Sequence, residues 1–190
     1  FNGMTGKFYQ PEIMAPGVAL FDYDNDGDLD VYLVQGQLLG AGTPLLPPPA
    51  GGTGDRLYRN DLEVKADGTR VLHFTDVTAQ SGIHPRGYGM GVAAGDVDND
   101  GFTDLYLTGF GRNQLFHNNG NGSFTDISAS SGTGDASSWG VSATFVDYDR
   151  DGRLDLFVGN YLNYTLKTHT PCTGPSGAPD YCRQIGRAHV

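Results

Sequence analysis

The sequence predicts an all-β fold, a partial β-propeller of about three four-stranded blades with the third incomplete. Three observations predict it. A nine-residue acidic pattern is written three times, each copy is flanked by the same kinds of apolar strand, and 29 glycines punctuate short runs rich in Val, Leu, Phe and Tyr. Short strands separated by turn residues, four to a unit at a period near fifty that an insertion lengthens to 74 residues in the first unit, are the signature of propeller blades.

The elements follow in order. Residues 1–16 read as a lead-in from a preceding part of the propeller. Blade 1 is expected over 17–88. Its first strand is Gly17-Val-Ala-Leu-Phe, its second Leu29-Asp-Val-Tyr-Leu-Val, its third Arg56-Leu-Tyr-Arg-Asn60 and its fourth Phe74-Thr-Asp-Val-Thr78. A Gly/Pro/Leu-rich insertion over 36–55 separates the second and third strands and belongs on a loop face. Blade 2, over 89–139, repeats the set as Gly91-Val-Ala-Ala-Gly, Asp104-Leu-Tyr-Leu-Thr, Gln114-Leu-Phe-His-Asn118 and Phe124-Thr-Asp-Ile-Ser128. Asn119-Gly-Asn-Gly122 reads as the hairpin turn between its third and fourth strands. Blade 3, over 140–183, has Ser142-Ala-Thr-Phe-Val and Leu154-Asp-Leu-Phe-Val and then a Cys-containing loop. Small residues on the first strands (Gly17, Ala19, Gly91, Ala93, Ser142, Ala143) suit innermost strands converging near an axis. A sheet laid on a flat neighbour would ask for the same.

The acidic pattern places Asp at positions one, three, five and nine and Gly at six, beginning at residues 22, 96 and 147. With Asp at roughly one residue in twenty, chance gives such a window about once in a million. Ordinary Asx turns use the same residues, but they do not require four fixed aspartates three times over. Clustered carboxylates are unfavourable without a cation among them, and Ca²⁺ takes six to eight hard oxygens from such loops. Magnesium keeps its waters, and zinc prefers a Cys/His set that is missing here. The expected ligands are the carboxylates of Asp22, Asp24, Asp26 and Asp30; of Asp96, Asp98, Asp100 and Asp104; and of Asp147, Asp149, Asp151 and Asp155. Position seven is Asp28, Phe102 or Arg153, so the ligand there is expected to be the backbone carbonyl. About three ions are implied.

Composition narrows the class. The formal charge of −10 comes almost wholly from aspartate, since Glu12 and Glu63 are the only glutamates. Three bound Ca²⁺ would offset more than half of it. No Lys/Arg cluster marks a nucleic-acid footprint, and no apolar run reaches membrane-span length. Cys172 and Cys182 form the only possible intrachain disulfide, which suits an oxidising compartment; two free buried thiols are the alternative. Asn121 and Asn163 begin glycosylation sequons, the former better read as a turn residue. Phe1 is not an initiator methionine, so the native start is expected upstream. Residues 184–190 are expected to be non-native, because Ile185-Gly-Arg-Ala-His-Val190 is what a common sequencing adapter spells in this frame.

From about Phe1 to Arg183 the chain resembles the FG-GAP/VCBS-repeat propellers of the ASPIC/UnbV, cartilage-acidic-protein type. The residues that carry the resemblance are Pro11-Glu-Ile, the stretch Gly17-Val-Ala-Leu-Phe-Asp-Tyr-Asp-Asn-Asp-Gly-Asp-Leu-Asp30, Phe124-Thr-Asp-Ile, Gly159-Asn-Tyr161, Cys172 and Tyr181-Cys182. The resemblance implies a seven- or eight-bladed calcium-binding propeller, usually secreted. Family members usually continue Tyr-Cys-Gly-Pro, whereas this chain has Tyr-Cys-Arg.

The functional expectation is a calcium-stabilised extracellular or periplasmic module for binding or adhesion, non-catalytic, with a protein or glycan ligand and the remaining blades of the same chain as partners. The alternative is a fragment of a calcium-dependent propeller enzyme acting on polysaccharide. Neither Gly-x-Ser-x-Gly nor His-Glu-x-x-His occurs, and the five histidines are scattered. His117 takes the repeat position of Arg59, which reads as a solvated strand face rather than a catalytic base. An EF-hand is excluded by Leu33, Leu107 and Val158 at position twelve, where a bidentate acid is needed.

Overall fold

Each acidic loop joins two antiparallel strands. The computed structural model describes residues 1–134 and 139–182; the tail over 184–190 lies outside the described residues. β1 (Val18–Phe21) pairs with β2 (Asp30–Leu33), β2 with β3 (Arg56–Asn60), and β3 with β6 (Phe74–Asp76). A small hairpin of β4 (Glu63–Val64) and β5 (Arg70–Val71) interrupts the last connection. The second sheet runs in chain order through β7 (Tyr88–Gly95), β8 (Asp104–Phe110), β9 (Gln114–Asn118) and β10 (Phe124–Asp126). β11 (Gly140–Val146) and β12 (Asp155–Asn160) form a third, two-stranded sheet. The strand order is the expected one, and the turn at Asn119 closes as Asn119 N–H donates to the Ser123 carbonyl at 2.9 Å.

Two helical turns, α1 (Thr78–Ser81) and α2 (Ser128–Ser131), follow the fourth strands and are not apparent in the apolar pattern. Their cause is local. Asp76 Oδ1 accepts the Thr78 N–H and Asp126 Oδ1 the Ser128 N–H, both at 3.0 Å, which turns the chain. The Thr78 and Ser128 hydroxyls then accept the N–H of Leu57 and Leu115 on the third strands. Gly82 and Gly132, both left-handed, end the turns.

The first strands of the three sheets lie beside one another. Gly17 N–H donates to the Met90 carbonyl at 2.8 Å, and a Cβ on Gly91 would stand 2.7 Å from the Val141 carbonyl oxygen. Only a residue without a side chain permits that approach. Between the first two sheets lies the main core: Phe21, Tyr23, Tyr32, Val34 and Leu57 from the first meet Leu105, Leu107, Phe116 and Phe124 from the second. Tyr106 and Phe145 stack edge-to-face across the next interface.

A second cluster covers the strand ends remote from the acidic loops. Leu39, Tyr88, Met90 and Trp139 are buried there beneath Tyr9, Met14, Leu162, Tyr164 and Leu166. The lead-in, the insertion and the chain after β12 thus share one cap. The cysteines staple it: Cys172 and Cys182 are disulfide-bonded with Cα atoms 5.1 Å apart, across β13 (Cys172–Thr173) and β14 (Pro179–Asp180). Tyr181 reaches from this hairpin to the fully buried Glu12 carboxylate at 3.3 Å and stacks on Phe8.

Candidate metal centres

All three loops fold alike, because each aspartate has a distinct backbone task. Position one closes the loop: Asp22, Asp96 and Asp147 each accept the N–H of position five through Oδ1 at 3.1 Å and that of glycine six through Oδ2 at 2.9 Å. The closure forces positive φ at position four, 60° at Asn25 and Asn99 and 64° at Arg150, and then 92°, 90° and 85° at Gly27, Gly101 and Gly152. Glycine is selected at six for that reason. Asn tolerates the left-handed region better than most residues. Position five turns back on position seven: Asp26, Asp100 and Asp151 accept the N–H of Asp28, Phe102 and Arg153 at 2.8–2.9 Å.

Position nine anchors the loop to the sheet. Asp30 Oδ2 accepts Tyr23 N–H at 2.8 Å and its Oδ1 accepts Asn60 N–H on the third strand at 2.8 Å. Asp104 does the same with Val97 and Asn118 at 2.9 and 2.7 Å. Both are fully buried. Asp155 is only half-buried and accepts Tyr148 N–H at 3.1 Å.

Carboxylate oxygens converge in every loop. Asp22, Asp24 and Asp30 each bring one to within 4.8 Å of the others, as do Asp96, Asp98 and Asp100, and Asp147, Asp149 and Asp155. Asp98 and Asp104 meet in an overlapping group with His117. Burial raises the Asp24 pKa, and the neighbouring Asp26 and Asp22 charges raise it further. Burial also raises Asp30 and Asp104, against the N–H groups that each accepts. Unlike charge beside a carboxylate would reverse these shifts. The Asp24 Oδ1 atom is sequestered from solvent and has no hydrogen-bond partner among the described residues. An orphaned carboxylate oxygen inside a ring of others fits a hard divalent cation, which takes oxygen ligands.

His117 corrects the expectation of a solvated strand face. Its side chain is about three-quarters buried, with Nδ1 3.2 Å from Asp104 and 3.5 Å from Asp98, and Nε2 4.0 Å from Asp100. Arg59, at the same position of the first sheet, instead pairs with Asp61 at 2.6 Å. The Arg/His exchange was the available signal. It marked a position lying over an acidic loop.

The loops are also joined to one another. The Asn25 amide donates to the Gly101 carbonyl at 2.9 Å, and the Asn99 amide to the Gly152 carbonyl at 3.0 Å. In the opposite sense, the Asn118 amide donates to the Tyr23 carbonyl at 2.8 Å.

Comparison with known proteins agrees with the repeats. Residues 96–158, which hold the second and third loops, match the FG-GAP-like repeat. The chain is 34% identical over 108 residues to mouse cartilage acidic protein 1, covering 56% of this chain and 17% of that protein. It is 33% identical over 121 residues to the human protein, covering 60% and 18%. The Xenopus tropicalis protein matches at 33% over 92 residues. The chain thus spans under a fifth of the length of these curated relatives. It carries an FG-GAP-like repeat over residues 96–158 and is similar, over about half of its own length, to cartilage acidic protein 1.

Proposed function

We propose that the chain is part of a calcium-stabilised β-propeller that works outside the cytoplasm as a non-catalytic binding or adhesion module. The observation that carries this reading is the threefold convergence of loop carboxylates, with the Asp24 oxygen buried and unpartnered among the described residues. The ligands are Asp22, Asp24, Asp26 and Asp30 with the Asp28 carbonyl; Asp96, Asp98, Asp100 and Asp104 with the Phe102 carbonyl; and Asp147, Asp149, Asp151 and Asp155 with the Arg153 carbonyl. The ion's part is electrostatic: it neutralises the carboxylates and so ties the first strand of each blade to the second.

The blades are 17–88, 89–139 and 140–183, preceded by the 1–16 lead-in, and further blades of the same chain complete the disc. Apolar residues on the outer faces of the first and third sheets support this, among them Val18, Leu20 and Phe157. The disulfide supports an oxidising, extracytoplasmic compartment. The relatives' name is not that of an enzyme, in keeping with a binding role for a protein or glycan ligand. Calorimetric titration of metal-stripped chain tests the metal reading. Uptake of about three Ca²⁺ with little response to Mg²⁺ is expected; no calcium uptake overturns it.

A further inference from the structure

The geometry points to Asn25 and Asn99 as positioning residues for the ion of the neighbouring loop rather than of their own, an assignment that rests on the calcium reading above. Asn25 belongs to the first loop, but its amide holds the carbonyl of Gly101 in the second at 2.9 Å. Asn99 repeats the contact from the second loop to Gly152 of the third at 3.0 Å. Two occurrences with one geometry, 76 and 53 residues apart in sequence, describe a repeating device.

The position of the captured carbonyl gives the contact its consequence. The peptide unit between Gly101 and Phe102 carries the Gly101 oxygen at one end and the Phe102 N–H at the other. Asn25 holds the oxygen, and Asp100 Oδ1 holds the N–H at 2.9 Å. In the third loop, Asn99 and Asp151 hold the corresponding unit before Arg153 at 3.0 and 2.8 Å. A planar peptide held at both ends fixes the plane from which residue seven departs, which narrows the directions open to its carbonyl and steadies the position-five carboxylate. Both are ligands in the proposed site. The first loop therefore preorganises the second, and the second the third. Position four of the third loop is Arg150, which lacks the short amide fork that makes this contact.

Asn25→Gly and Asn99→Gly test the assignment. Glycine accepts the φ of 60° without strain, and both residues are exposed, so the variants fold. The whole 190-residue chain, ¹⁵N-labelled and metal-stripped, is titrated with Ca²⁺ while the amides of Gly27, Gly101 and Gly152 report each loop separately. Asn25→Gly leaves the second loop's own sequence intact, so any loss there has crossed between loops. The expected result is about fivefold weaker calcium binding at Gly101 in Asn25→Gly, and at Gly152 in Asn99→Gly, the effect of one lost hydrogen bond. Unchanged half-saturation at those reporters, with all three loops still filling, overturns the positioning role and leaves the calcium reading standing. Reporters that ignore calcium in the unmodified chain overturn both.

Discussion

At the scale of the residue, aspartates of identical type are put to opposite uses. Asp30 and Asp104 vanish into the sheet to hold a third strand, whereas Asp26 and Asp98 remain exposed at the loop tip. The spacing identifies the whole set, but it does not say which member is the buried anchor. That depends on Asn60 and Asn118, which strand pairing brings close, as it brings His117. Asp55 is a further buried acid that no motif marks. It accepts Gln35 N–H at 2.7 Å and the Tyr32 hydroxyl at 2.8 Å, and burial pushes its carboxyl up to about 6 despite both. A raised folded pKa means that the folded state binds the proton more tightly. The associated stability is therefore full below about pH 4, the unfolded value, and is lost as pH rises through about 6. Asp55→Asn keeps the acceptor for Gln35 and removes the charge. Denaturant unfolding should find the variant and the parent alike at pH 4 and the variant more stable at pH 7.5, by up to about 3 kcal/mol. A variant less stable at pH 7.5 would contradict the account.

At the scale of the element, strands one to three and the acidic loops were legible because their hydrophobic alternation and Asp/Gly spacing are local signals. Helical turns α1 and α2 were not, since a hydroxyl accepting from another strand, as Thr78 does from Leu57, is a tertiary contact. Nor was the cap, where Tyr181 and Glu12 meet from opposite ends of the chain. The small-residue rule for the first strands has its sharpest case at Gly91. A Cβ there would stand 2.7 Å from the Val141 carbonyl oxygen and 2.8 Å from Thr108 Oγ1. Gly91→Ala should therefore cost about 1–3 kcal/mol in urea unfolding, as overpacking does elsewhere. An unchanged midpoint would show that β7 and β11 are not held so close.

At the scale of the whole molecule, two sheet faces carry apolar side chains into solvent. Val18 and Leu20 are 59% and 63% exposed on β1, and Phe157 is 53% exposed on β12. Such faces are association-prone, so sedimentation of the chain should show concentration-dependent self-association, reduced by Val18→Thr with Leu20→Thr. A monomer at all concentrations would speak against unpaired sheet faces. The proposed calcium would join the loops to the fold, because an ion among the carboxylates would hold each first and second strand in register. Binding to the folded form alone adds about 2.7 kcal/mol per site at a hundredfold excess over Kd. The most direct test is the thermal melt of metal-stripped protein with and without Ca²⁺, alongside Asp98→Ala. Calcium should raise the Tm, EDTA should reverse the gain, and Asp98→Ala should lose only the second loop's share. A melt indifferent to calcium in the parent chain would contradict the account.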